Sequence, residues 1–210
     1  MILKLNETNL KEASHWLAKQ DEAMAHVLGK YGYPPLWARE PGFATLVHII
    51  LEQQVSLASA NAAFQRLQAQ LGTITPDTFL TLDDVTLLGI GFSRQKTSYA
   101  RTLAEAVLSQ TFDFEKLAQR PDEEIRREMK RLKGIGDWTA DIYLSECLLR
   151  PDILPKGDIA MQEAFRVLKK LPQRPVHNDF VTATQHWRPW RSVGTRMLWH
   201  FYLCERGKRY

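Results

Sequence analysis

Cysteine is scarce in this 210-residue chain, with only Cys147 and Cys204. Two thiols cannot supply the four ligands of an iron–sulfur cluster or of an all-cysteine zinc site, and they read as core residues in a reducing cytoplasm. The six histidines, His15, His26, His48, His177, His186 and His200, show no metal-ligand spacing and read as structural. No apolar run reaches the roughly 18 residues that span a bilayer, and the opening segment 1–6 turns polar too soon for a signal peptide. Sustained apolar–polar alternation is missing, as is any Asn-Gly or Asp-Gly turn, so strands are not expected. Internal repeats, low-complexity tracts and flexible linkers are also absent. These absences leave an all-α protein with no membrane partner.

The composition, 44% hydrophobic and 25% charged, is that of a globular chain and excludes a largely disordered one. The net charge of +4 conceals an asymmetry. Residues 164–210 hold ten Lys and Arg against Asp179 and Glu205, a net +8, so residues 1–163 sum to −4. A basic end suits a polyanion, although a solvated helix surface gives the same count.

Helical periodicity recurs from end to end. Leu10, Ala13, Leu17, Met24, Val27 and Leu28 predict two helices between Asn9 and Lys30. Phe43 to Gln54 reads as a buried helix, and Ser56 as the N-cap of an alanine-rich one ending near Gly72. Asp83 and Asp84 open a short helix that stops at Gly89-Ile90-Gly91, and Ser93 caps the next. Asp122 is the expected cap of Glu123–Leu132, followed by a helix reaching about Leu148. Further helices are expected over Ile159–Leu171, Asn178–Trp187 and Pro189–Arg206, the last with its proline in the first turn.

The sharpest local feature is Leu132-Lys133-Gly134-Ile135-Gly136-Asp137-Trp138-Thr139-Ala140. Two glycines two apart can take angles that side chains forbid and leave no Cβ over the hairpin. Their N–H groups, beside a helix start, make a seat for phosphate, with Ile135 anchored in the core. A plain glycine turn between two helices would look similar. Downstream lies Leu154-Pro155-Lys156-Gly157-Asp158, with Asp158 24 residues after Gly134. An Asp ahead of an apolar helical run is by default an N-cap.

Hairpin, Gly/Pro loop and Asp together resemble the HhH-GPD superfamily of DNA glycosylases. Leu46-Val-His-Ile-Ile-Leu-Glu-Gln-Gln-Val-Ser56, Gly91-Phe-Ser-Arg-Gln-Lys96 and Trp187-Arg-Pro-Trp-Arg-Ser192 resemble its alkylbase, 3-methyladenine type II, branch. The resemblance covers about residues 40–200. It implies two helical subdomains, one over 43–156 and one joining 1–42 to 157–210, flanking a cleft. It also implies a monofunctional glycosylase that flips alkylated purines such as 3-methyladenine and 7-methylguanine out of duplex DNA. The alternatives are other lesions, deaminated or mismatched, or a non-catalytic module that only grips DNA. A monomer is expected, cytoplasmic and nucleoid-associated in a bacterium, otherwise intracellular or nuclear.

The chemistry fits one carboxylate. Breaking the N-glycosidic bond passes through an oxocarbenium-like sugar, which Asp158 would stabilise while orienting water. A cationic base already leaves readily, so no second acid is needed. The resemblance makes Trp138, Trp190, Tyr143 and Trp187 candidates for stacking on the extruded base, Trp138 and Trp190 foremost, with core packing the alternative for several of the tryptophans. It assigns Gln54, with Gln53 second, to the gap in the stack. Phosphate contacts fall to Lys133, Gly134, Gly136, Ser93, Arg94 and Lys96. By resemblance alone, the carbonyls of Lys130, Leu132 and Ile135 would hold Na+ or K+; the chemistry itself requires no cofactor. Ile142 departs from the pattern, standing where a bacterial member of the branch has a pocket tyrosine. Bifunctional relatives carry a nucleophilic Lys two positions after the second glycine, where this chain has Trp138. An indole forms no Schiff base, so incubation with methylated duplex is expected to leave strands intact until alkali or a lyase is added. Nicking by the protein alone, read on a denaturing gel, would contradict this.

Overall fold

A computed structural model describes residues 3–207; the first two residues of the opening segment and the last three of the basic end lie outside it. The described residues form thirteen α-helices and no strand. They are α1 (Glu7–Gln20), α2 (Glu22–Tyr31), α3 (Phe43–Glu52), α4 (Leu57–Leu71), α5 (Pro76–Leu80), α6 (Asp84–Ile90) and α7 (Arg94–Leu108). Then come α8 (Phe114–Ala118), α9 (Asp122–Met129), α10 (Asp137–Ile142), α11 (Ile159–Leu168), α12 (His177–Ala183) and α13 (Arg191–Cys204). A π turn over Tyr143–Cys147 follows α10, and a 3-10 turn over Gln185–Trp187 follows α12. None of the helices is long and apolar enough to cross a membrane.

Local chemistry accounts for most of these bounds. Asn6 and Asp21 cap α1 and α2, and Asp21 also separates them. Ser56, Asp83 and Ser93 accept backbone N–H groups at the starts of α4, α6 and α7. Two short helices, α5 and α8, were not expected. Thr75, with Pro76 at the first helical position, starts one, and Asp113 starts the other. Asp122 is not a cap: Pro121 occupies that position, and α9 stops at Met129 rather than Leu132. Pro189 precedes the last helix instead of opening it, because Trp190 takes the N-cap.

The chain forms two compact units, Arg39–Tyr143 and the pair Met1–Ala38 with Leu144–Tyr210. These bounds differ from the expected divisions at 42 and 156. The segment after Tyr143 is bonded into the terminal unit: Leu5 N–H donates to the Leu149 carbonyl at 2.7 Å, and Ser192 N–H to the Pro151 carbonyl at 2.9 Å. In the central unit α3 presents Leu46, Val47, Ile49 and Ile50 to the core, packed by α4, α7 and α10. Phe43, Phe79 and Phe92 continue that core, Phe43 edge to face on Phe79 and Phe92 tilted against it.

The terminal unit packs α1 and α2 against α13, and α13 against α11. Asp21 is its polar centre. The carboxylate accepts from Ala23 N–H at 2.9 Å, Lys169 Nζ at 2.6 Å, Trp187 Nε1 at 3.0 Å and His186 Nε2 at 3.1 Å. Burial pushes this carboxyl up, but the bonds from Lys169 and Trp187 and the Lys169 charge outweigh burial and hold it below the usual carboxylate range. A carboxyl lowered on folding stabilises the fold above its unfolded value near 3.8, and that stabilisation is lost as pH falls through the folded value. Asp21→Asn is therefore expected to cost about 1–3 kcal/mol in urea unfolding at pH 7. The difference from wild type should shrink in acid, below about pH 4. A difference independent of pH would deny Asp21 this role.

Candidate active site

Asp158 sits where a glycine-dependent turn meets a helix. Gly157 has φ +78, a left-handed conformation that disfavours side chains, and it delivers Asp158 to the N-cap of α11 in extended conformation. Asp158 Oδ1 accepts from Met161 N–H at 2.8 Å and from Trp199 Nε1–H at 3.2 Å. The residue is only 8% exposed. The carboxylate expected to carry the chemistry is thus also the cap of α11, placed at a helix N-terminus that suits negative charge. Trp199 had escaped notice in the sequence. Its signal was an indole nine positions beyond Trp190 on the same helix.

The Trp-Arg-Pro-Trp-Arg-Ser segment has a scaffolding role. Arg191 grips Asp152 through Nε at 2.6 Å and Nη2 at 3.0 Å. The Ser192 hydroxyl donates to the Arg150 carbonyl at 2.6 Å and accepts from Ile153 N–H at 2.9 Å. Together they staple the chain leading into Asp158 to the start of α13. Trp187 is fully buried among Phe165, Phe180 and His186, and its ring lies where a Cβ on Gly194 would fall 2.5 Å away. That leaves no face for a base, so the stacking role expected of Trp187 is corrected to a core role. Trp190 is half-buried against the same core.

In the central unit, Tyr143 is likewise fully buried, its ring tilted against Phe114 at 5.9 Å. It too is a packing residue rather than a stacking platform. Trp138 is half-buried in the first turn of α10, and Ile142 lies in the core.

The two hairpin glycines have different reasons to be there. Gly134 has φ +90, and a Cβ would meet the Tyr99 ring at 2.1 Å. Gly136 has φ −100 and open space around it, so neither backbone angles nor packing demand it. Its missing side chain leaves the hairpin backbone uncovered there. Ile135 is buried as expected, and Lys133 is exposed.

Gln53 and Gln54 part company where α3 ends. Gln53 Nε2 donates to the Gly134 carbonyl at 3.0 Å and to Thr139 Oγ1 at 2.9 Å. It is a strut between α3 and the hairpin, which removes it from the wedge candidates. Gln54 is exposed with φ +58, flanked by the exposed apolar Val55 and Leu57.

Lys96 is also reassigned: its ammonium donates to the Leu51 carbonyl at 2.7 Å, and burial lowers its pKa. It closes the end of α3 instead of reaching outward. Ser93 accepts from Lys96 N–H at 3.2 Å as an N-cap, and Arg94 is exposed. The Leu132 carbonyl accepts from Ile135 N–H at 3.1 Å, which occupies one of its two lone pairs. No group of three or more His, Cys, Asp or Glu among the described residues is placed to hold a metal ion. A cavity of about 640 Å³ over Phe165, Lys169 and Leu171–Val176 has neither Asp158 nor Trp199 in its lining.

The family described as HhH-GPD superfamily base excision DNA repair protein matches residues 47–189. The chain is 26% identical over 199 residues to DNA-3-methyladenine glycosylase 1 of Schizosaccharomyces pombe, covering 91% of this chain and 87% of that protein. It is 24% identical over 204 residues to the alkylbase DNA glycosidase-like protein mag2 of the same yeast, covering 92% and 94%. A solved structure of the S. pombe 3-methyladenine DNA glycosylase Mag1 in complex with abasic DNA superposes with a TM-score of 0.84 at 24% identity. That match covers 93% of this chain and 97% of the other and shows a shared fold.

The steric reading of Gly134 has a direct consequence. Gly134→Ala is expected to destabilise the protein by about 1–3 kcal/mol in denaturant unfolding, through the positive φ and the Tyr99 clash. Gly136→Ala should cost less than about 1 kcal/mol. Equal costs would contradict the assignment.

Proposed function

The chain belongs to the HhH-GPD superfamily of base excision DNA repair proteins, and from that premise we propose that it is a monofunctional DNA glycosylase releasing alkylated purines, of the 3-methyladenine and 7-methylguanine type, from duplex DNA. The observation that carries this reading is the Asp158 carboxylate, fixed by α11 and by the Trp199 indole in one place. A base extruded from the stack brings its sugar to such a group. As the C1′–N bond lengthens, positive charge grows on the sugar and the carboxylate stabilises it. The same group orients water for addition at C1′, the pair of electrons in the broken bond leaving with the base. An alkylated purine carries its own positive charge, so this single carboxylate suffices.

The remaining roles follow from exposure. Gln54 is the residue offered to the emptied stack, its amide able to bond the orphaned partner base, with Val55 and Leu57 as apolar flanks. The N–H groups of Gly134 and Gly136 with Lys133 and Arg94 meet phosphate, which positions without reading sequence. Trp138 and Trp190 are half-buried and stay candidates for the base site, joined by Trp199. A monovalent cation would be held by the carbonyls of Lys130, Leu132 and Ile135. Such hard oxygen donors suit Na+ or K+, and Leu132 keeps one lone pair for it. The partner is duplex DNA bearing damaged bases, engaged by a monomer, with no cofactor in the chemical step.

A non-catalytic grip on DNA would need the hairpin but not a buried, doubly bonded carboxylate. The separating measurement is free-base release from methylated duplex. Asp158→Asn keeps a cap but loses the charge, and is expected to lower release by at least about 100-fold while retaining DNA binding. Undiminished release would remove Asp158 from the chemistry, and a wild-type protein that binds without releasing base would make it a binding module.

A further inference from the structure

Glu52 is a carboxylate placed unfavourably twice over. It is the last residue of α3, where the helix end already carries partial negative charge, and it is only 7% exposed. A charge buried there opposes folding unless a partner offsets it. The partner comes from outside the helix: Arg39 Nη2 lies 2.9 Å from Glu52 Oε1. His48, one turn back on α3, has its Nε2 3.7 Å from the same oxygen. That nitrogen donates to Asn61 Oδ1 at 2.8 Å, however, and the ring is stacked on Phe64 at 4.2 Å. Burial lowers the His48 pKa, so at neutral pH the charge facing Glu52 is that of Arg39. A buried ion pair of this kind adds little to stability, and a well-packed apolar pair would do as well. Its use lies in where it holds the chain.

What it holds is a turn. The Glu52 carbonyl accepts from Val55 N–H at 3.5 Å, which closes residues 52–55. Gln53 follows with φ −58 and ψ 122, and Gln54 with φ +58, as in a type II turn. The second central position of that turn favours Gly or Asn, so Gln54 stands in a conformation that a glutamine rarely adopts. Such a conformation persists only where its surroundings fix it. Here the residues ahead of it are fixed in succession. Lys96 Nζ donates to the Leu51 carbonyl at 2.7 Å, Arg39 holds the Glu52 side chain, and the Gln53 amide is bonded to the hairpin. Gln54 alone is left exposed.

We propose that Glu52, through its ion pair with Arg39, is a positioning residue that fixes the first corner of this turn and so presents the Gln54 amide to the gap left in the stack. This rests on the role given to Gln54 in the proposed reaction and adds what holds that residue in place. Glu52 is buried and acts through Gln54. Without the pair the carboxylate would turn toward water, and the turn would relax out of its left-handed conformation.

The test is a double-mutant cycle on single-turnover release of 7-methylguanine from a duplex containing it once. Glu52→Gln keeps the shape and loses the charge, Gln54→Ala removes the amide, and a third protein carries both changes. Each single variant is expected to lower release about five- to tenfold. The double variant should match Gln54→Ala within about twofold, because Glu52 then has nothing left to position. Arg39→Gln reaches the same link from its more exposed end and is expected to lower release as Glu52→Gln does, which keeps the test open if the buried variant fails to fold. Urea unfolding identifies the variants that are folded under assay conditions. Losses that multiply in the double variant, or wild-type release by both Glu52→Gln and Arg39→Gln, overturn the proposal. Full activity in Gln54→Ala removes Gln54 from the stack and this inference with it, leaving the glycosylase reading standing. Wild-type protein that releases no base overturns that reading itself.

Discussion

One oxygen of Asp158 accepts a hydrogen bond from the first turn of α11 and another from the indole of Trp199 on α13. Much of the terminal unit is arranged to keep that junction in place. Arg191 and Ser192 hold residues 150–153 against the start of α13, Gly157 supplies the turn, and Arg196 ties the 36–37 segment to the same helix. The carboxylate therefore carries little conformational freedom into any reaction. In the proposed reaction such preorganisation, a charge fixed in advance where positive charge would develop, is the largest lever the site would have. An N-cap is a good place to build it, since the helix stabilises the residue whether or not substrate is present.

The charge asymmetry of the sequence takes on a different meaning in three dimensions. Counted along the chain, residues 164–210 offer a polyanion eight net positive charges. In the fold, Arg196 is buried, Lys169 pairs with Asp21, Arg166 with Glu163, and Arg188 and Arg191 with Asp152. Arg196 and Arg191 are thus withdrawn from solvent, whereas Lys169, Arg166 and Arg188 stay partly or largely exposed with their charges paired to acids. The hairpin lies in the negative portion of the chain and needs little side-chain charge, because backbone N–H groups at a glycine turn already suit phosphate.

Local rules made the helices legible, and their limits explain what was missed. Caps such as Ser56, Asp83 and Ser93 act within four residues and were visible in the sequence. The hairpin motif was visible too, but the sequence treated its two glycines alike. Only the fold separates Gly134, jammed against the Tyr99 ring from another helix, from Gly136, which faces open space. Tryptophans posed the same difficulty. Trp187 is among the candidates the motifs offer, yet its indole is consumed by Asp21 and the core, whereas Trp199, without a conspicuous motif, reaches Asp158. Adjacent Gln53 and Gln54 look interchangeable until the chain turns out of α3, with Gln53 as its C-cap and Gln54 at positive φ. One amide then faces the hairpin and the other solvent. In each case the deciding contact joins residues far apart in the chain, which periodicity and spacing do not encode.

The division of labour between the units follows from what each kind of contact can do. Phosphates are alike at every step of DNA, so backbone N–H groups on a rigid turn can grip them without a tuned side chain. The Gln53 strut ties the end of α3, next to Gln54, to the hairpin by two hydrogen bonds. Choosing a base would demand the opposite, side chains whose identity and angle matter, and in the glycosylase reading proposed above the terminal unit would supply them. A neutral lesion would need polar partners for its edge groups, each with its own desolvation cost. A cationic purine would need only a π face and a carboxylate, and Trp199 and Asp158 stand together in the terminal unit.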